Sequence, residues 1–82
     1  MQHPRIHLNG TASAELVQGY ADAIYSLNEA ISAVKRAGPN DRDYYVIGPE
    51  AVKLAHTEHR ARVQKLMDIW RELTALAEAI AT

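Results

Sequence analysis

Two ladders of mainly apolar residues, each stepping along the chain by three or four positions, constrain this 82-residue sequence more than any other feature. Such spacing places side chains on one face of an α-helix. The first ladder comprises Val17, Tyr20, Ile24, Leu27, Ile31 and Val34. The second comprises Val52, His56, His59, Val63, Leu66, Trp70, Leu73, Ala77 and Ile80. The sequence therefore predicts an all-α fold, an antiparallel two-helix hairpin.

The residues around the ladders set the expected boundaries of the helices. Thr11 carries a hydroxyl that suits a helix N-cap, and Gly38 suits a left-handed conformation just after a helix. Pro49 fits the first position of a second helix, where its missing N–H is not needed. We therefore expect a single domain over 1–82 with four parts: an extended N-terminal arm at 1–10, a helix at 12–37, a loop at 38–48 and a helix at 49–81.

A chain of this size is expected to need help in burying a core, because small domains hide a low fraction of their surface. The sequence has no cysteine, which excludes disulfides and zinc–thiolate sites. Beside the second ladder lie Met67, Ile69 and Leu76, which one partner helix cannot cover. We therefore expect hairpins to associate into a homo-oligomeric helical bundle, most simply of four helices. The longer second helix is expected to project at its C-terminal end and to receive the arm.

Charge and hydropathy exclude several classes of partner. The formal net charge is −1, so the basic surface typical of nucleic-acid-binding proteins is absent. The sequence contains neither an apolar run of membrane-spanning length nor the pattern of a signal peptide. We therefore expect a cytoplasmic protein without a membrane or nucleic-acid partner.

His56 and His59 occupy ladder positions where aliphatic side chains are expected. Three interpretations remain open: neutral histidines that are hydrogen-bonded within the bundle, a pair that contacts an anionic ligand, or two metal ligands on one helix face. A metal site needs further ligands, and the candidates, His3 and His7, lie in the arm, which is expected at the other end of the hairpin. The sequence therefore predicts no metal and no cofactor.

The loop is longer than the two to eight residues that a helical hairpin normally uses. It contains Arg42, Tyr44 and Tyr45, and the second helix brings Arg60 and Arg62 near its loop end. Arginine matches phosphate geometry and tyrosine can stack on a base, so these residues suit a nucleotide-like ligand. Alternatively, the tyrosines cap the end of the bundle and the charged residues are simply solvated.

The residues taken together predict a non-enzymatic oligomer that binds an anionic, nucleotide-like molecule. The sequence contains no Gly-rich phosphate loop, nucleophile elbow or CxxC motif, so we assign no catalytic residue. The alternative is a protein–protein interaction module that uses the additional apolar side chains of the second helix. The expected ligand-binding residues are Arg42, Tyr44, Tyr45, His56, His59, Arg60 and Arg62.

Small proteins of bacteriophages and prophages resemble this chain in three segments: IHLNGT at 6–11, DYY at 43–45 followed by GP at 48–49, and EHRAR at 58–62. The resemblance implies a phage setting in the cytoplasm of an infected or lysogenic bacterium. Some small helical phage proteins form oligomers that sequester nucleotide signals of host defence, and by analogy the ligand would be such a signal. For the alternative function, the resemblance implies an inhibitor of a host protein or a small assembly factor.

Overall fold

Two α-helices that pack against each other form the body of the protein, and a short 3₁₀ helix packs on the second. Their bounds are Ser13–Arg36 for α1, Asp41–Tyr44 for the 3₁₀ helix and Pro49–Ala81 for α2. The described part of the chain contains no β-strand, so the predicted all-α fold is confirmed. Residues 4–10 of the arm expected at 1–10 lie outside the described residues. A computed structural model of the chain describes residues 1–3, 12–44 and 46–81.

The helices run antiparallel, and the two ladders form the seam between them. Near one end, Gly38 lies against the ring of His59, while near the other end Leu73 shares a hollow with Gly19. All residues of both ladders are at least partly buried. Within the described residues, however, Ile31 is the single apolar side chain that is fully buried, with 8% of its surface exposed. The two helices thus contact each other along one stripe, but they enclose almost no hydrophobic core.

The stagger between the helices explains the length of the loop. Because Gly38 lies beside His59, the stretch of α2 from Pro49 to Glu58 extends beyond the end of α1. Ten residues of helix span about 15 Å, and the loop must cover this distance between the end of α1 and the start of α2. The prediction that α2 projects at its C-terminal end was wrong, since the projection lies at the loop end and is covered there by the 3₁₀ helix.

Both helix caps of α1 differ from the predictions. The N-cap residue is Ala12, which makes no side-chain capping bond, while Thr11 lies outside the described residues. Gly38 does not adopt the left-handed conformation; the glycine with positive φ is Gly48, at 111°. The last turn of α1 tightens instead, with the Gly38 N–H donating to the Lys35 carbonyl at 3.3 Å. A Cβ at position 38 would lie 3.2 Å from that carbonyl but 3.6 Å from the His59 ring, so the tightened turn of α1, rather than the contact with α2, leaves little space for a side chain.

The near absence of a core predicts that stability is concentrated at Ile31. We expect Ile31→Ala to lower the free energy of unfolding by about 2–4 kcal/mol, because it leaves a cavity in the most tightly packed part of the seam. Ile47→Ala is the matched control, since Ile47 is 71% exposed and its truncation should change stability by less than about 0.5 kcal/mol. Urea unfolding followed by circular dichroism measures both variants. Similar losses in the two would show that burial at Ile31 does not dominate.

Candidate functional site

The loop end of the hairpin is organised by Asn40 and Asp41. The Asn40 side-chain oxygen accepts a hydrogen bond from the Arg42 N–H at 3.0 Å, and its carbonyl accepts one from the Asp43 N–H at 3.0 Å. This is the capping geometry that starts a helical turn. The turn directs Asp41 toward α2, where its Oδ1 lies 2.7 Å from the His56 Nε2. A contact across fifteen positions of sequence thus fixes the 3₁₀ helix on the projecting part of α2.

Basic side chains surround a hollow on one side of this contact, which we call the cationic hollow. It has a volume of about 400 Å³ and is open to solvent. Lys53 and Arg60 lie two helical turns apart, and neither has a hydrogen bond or ion pair within the described residues. The lining residues are Asp41, Val52, Lys53, His56, Thr57 and Arg60. The hollow therefore presents two uncompensated positive charges beside the His56–Asp41 pair.

A second hollow, the apolar hollow, lies on the other side of the loop end. Its volume is about 300 Å³, and alanine, proline, leucine and isoleucine side chains form much of its lining. Tyr44, His59 and Arg62 contribute polar groups. The Arg62 guanidinium already lies 3.6 Å from the Glu58 carboxylate. The His59 Nε2 is buried and has no hydrogen-bond partner, so this histidine fills the interior rather than offering a free nitrogen.

The structure divides the seven expected ligand-binding residues instead of gathering them. His56 and Arg60 line the cationic hollow, whereas Tyr44, His59 and Arg62 line the apolar hollow. Successive residues of an α-helix are about 100° apart, so positions 60 and 62 point in nearly opposite directions. The side chain of Arg42 is exposed and lines neither hollow, and Tyr45 lies outside the described residues.

Sequence reasoning missed two members of the cationic hollow. Asp41 and Lys53 were not among the seven expected ligand-binding residues, yet both line it. The signal for Lys53 was present, because it lies seven residues before Arg60 and therefore on the same helix face. The contact of Asp41 with His56 had no comparable signal. Among the described residues, no three histidine, cysteine or acidic side chains cluster as metal ligands.

Comparisons with known proteins add no assignment to this geometry. No protein family, curated protein or solved structure matches the chain. Over the described residues, neither helix combines the length and the apolar character needed to cross a lipid bilayer. The resemblance to phage proteins remains a prediction.

The two histidines of α2 are expected to respond oppositely to the same substitution. His59→Met removes a buried nitrogen without a partner and fills its space with a flexible apolar chain, so we expect a gain in stability of about 1 kcal/mol. His56→Met removes a partly exposed hydrogen bond to Asp41 and should lower stability by about 1 kcal/mol or less. Thermal unfolding of both variants beside the original chain tests this. A clear loss in His59→Met would mean that the ring nitrogen has a partner in solution.

Proposed function

We propose that this chain is a non-enzymatic helical interaction module, whose hairpin completes its core by packing against other helices. The observation that supports this is the single fully buried apolar residue, Ile31, among the described residues. Leu54 and Ile69 of α2 remain 58% and 47% exposed. The simplest assembly is a four-helix bundle of two hairpins. The proposal assigns no catalytic residue and no cofactor.

The energetics of the seam favour association. Full burial of a valine, leucine or isoleucine side chain contributes about 1.5–3 kcal/mol, and the partly buried ladder residues realise only a fraction of this. A folded domain has a net stability of only about 5–15 kcal/mol. The stabilisation that full burial of these side chains would add is therefore comparable with the net stability of a whole domain. A helix that covers these side chains therefore contributes what the hairpin lacks. In the phage setting implied by the resemblance, this helix belongs to another copy or to a host protein in the bacterial cytoplasm.

The incomplete core predicts that unfolding depends on what the chain is bound to. If copies associate, the melting temperature should rise by several degrees over a hundredfold increase in protein concentration, because association stabilises the folded state by mass action. If the helix that covers the seam belongs to another protein, the isolated hairpin should melt in a broad, weakly cooperative transition. Circular dichroism at about 2 and 200 µM measures both. A sharp transition that is independent of concentration contradicts the proposal.

The cationic hollow favours a second function, the binding of a small anionic ligand such as a nucleotide. Lys53 and Arg60 are separated by two turns of one helix face, a spacing of about 10 Å that suits the phosphates of a nucleotide. His56 lies between them but is already bonded to Asp41. This smaller group replaces the seven-residue site as the proposed phosphate contact. It is compatible with the proposed sequestration of a host-defence signal.

Neutralising Arg60 should test this ligand function. We expect Arg60→Gln to weaken nucleotide binding by about tenfold, which corresponds to the loss of one charge-assisted contact of about 1.4 kcal/mol. The matched control is Arg71→Gln, because Arg71 is paired with Asp68 at 2.9 Å and lies three turns further along α2. Calorimetry with inorganic phosphate and a panel of cyclic and linear nucleotides provides the affinities. If no nucleotide binds the original chain, this function is excluded.

A further inference from the structure

The two broad sides of the hairpin differ in character. Ile69 and Leu76 are seven residues apart and share one flank of α2, whereas Met67 is about 200° away from Ile69 and lies on the opposite flank. The three apolar residues that lie beside the second ladder in the sequence therefore fall on two separate flanks of α2. The cationic hollow lies on the flank of Met67, since Arg60 is seven residues before it. The flank of Ile69 and Leu76 carries these two large apolar residues together with Arg62 and Lys65, which are seven and four residues before Ile69.

The flank of α1 on the same side carries small residues. Gly19, Ala23, Ala30 and Ala37 are all exposed and fall within about 40° of one another around the helix. Their side is fixed by the two hollows that α1 shares with α2: Gly19 with Leu73 near one end, Ala37 with Ala51 at the other. We call this side the small-residue face. It comprises Gly19, Ala23, Ala30 and Ala37 of α1 and Ala51, Leu54, Ile69, Leu73 and Leu76 of α2.

A hollow in this face has the size and lining of a socket for an aliphatic side chain. Its volume is about 290 Å³, it is open to solvent, and Leu16, Tyr20 and Leu73 line most of it, with Glu15 at one side. The side of Gly19 is open, because a Cβ added there would meet no atom within 4 Å. A glycine inside a helix costs about 1 kcal/mol relative to alanine, and nothing within the described chain uses the space that it leaves.

The face is complementary to itself. Because Gly38 lies beside His59, the antiparallel pairing brings Gly19 to within about one turn of Leu76, and Leu73 lines the same hollow as Gly19. When a second copy is rotated by 180° about the long axis of the hairpin and placed face to face, its α2 lies over α1 of the first copy. Large side chains of one copy then meet the small row of the other at equal height, and the contact occurs twice. A single foreign helix would engage the socket but would leave the exposed Ile69 and the partly exposed Leu76 of α2 uncovered.

Area and charge also suit a second copy. The length of α1, about 36 Å, multiplied by the 21 Å width of the molecule gives a footprint on the order of 750 Å², close to the roughly 800 Å² per partner of a stable interface. The formal charge of −1 produces little repulsion between copies. Glu58 and Arg62 on this side are paired with each other. The other charges at this face, Glu15 beside the socket and Lys65 beside Ile69, are of opposite sign.

We infer that the small-residue face is the interface of a symmetric dimer, in which Leu76 of each copy packs over Gly19 of the other and both loops lie at the same end. This inference rests on the proposed interaction function and specifies its partner. The occupant is a second copy of the chain. The apolar hollow at the loop end is covered by the same contact, whereas the cationic hollow stays exposed.

Disulfide trapping tests the arrangement directly, because the chain has no cysteine of its own. Gly19→Cys and Leu76→Cys proteins are mixed, allowed to exchange subunits and oxidised mildly. We expect a disulfide between the two variants, which a reducing agent reverses. The control mixture pairs Leu76→Cys with Gln18→Cys, since Gln18 is exposed and bonded to Asp22 on the outer side of α1. Equal trapping in both mixtures, or none with Gly19→Cys, overturns the arrangement.

Filling the socket provides a second measurement that does not depend on oxidation. Gly19→Leu improves helix propensity, so the variant should fold, but its side chain occupies the space reserved for Leu76 of the other copy. Sedimentation should give about 18 kDa for the original chain, twice its 9.1 kDa, and at least tenfold weaker dimerisation for Gly19→Leu. Gln18→Leu is the matched control and should leave dimerisation unchanged. An undiminished Gly19→Leu dimer overturns the inference.

The outcomes separate this inference from the proposed function. A dimer that neither forms the 19–76 disulfide nor responds to Gly19→Leu leaves an interaction module with a different interface. A monomer with a broad melting transition leaves an interaction module whose helix partner is another protein. A monomer with a sharp, concentration-independent transition overturns both.

Discussion

Two helices lying side by side can cover only one stripe of each other, and this geometric limit governs the whole molecule. The ladders supply enough aliphatic side chains for a core, but a core needs neighbours on more than one side. Ile31 is buried, whereas its ladder neighbours are only partly buried. The hairpin alone therefore forms a single layer of helices, and this is the basis of the proposed association.

The parts of the fold that follow from local rules could be predicted from the sequence, and the parts that depend on register could not. The three-to-four spacing predicts the helices, and Pro49 marks the first residue of α2. The stagger of the helices is a long-range property, and it determines where α2 projects and why the loop is long. Gly38 illustrates the difference: a local rule made it a left-handed cap, but it ends a tightened turn of α1 and lies beside the His59 ring of α2.

In the candidate site, too, the contacts that follow from helix periodicity could be predicted, and those that depend on tertiary structure could not. Grouping Arg60 with Arg62 followed their closeness in sequence, yet residues two apart on a helix point away from each other. The seven-residue spacing of Lys53 and Arg60 is readable from the sequence and identifies the positive side of α2. The pair of Asp41 with His56 depends on the path of the loop, which no periodicity encodes.

The unequal sides of the hairpin determine what kind of assembly the chain can form. If both sides were apolar, each added copy would expose a fresh apolar surface, and the hairpins would stack without end. Here one side carries the small-residue face and the other carries Lys53 and Arg60 with the His56–Asp41 pair. In the proposed dimer, a two-fold contact would cover the small-residue face in both copies at once and leave the side with Lys53 and Arg60 outside. The same asymmetry would keep the cationic hollow of each copy free, so that the proposed assembly and the proposed ligand binding would use opposite sides of one hairpin.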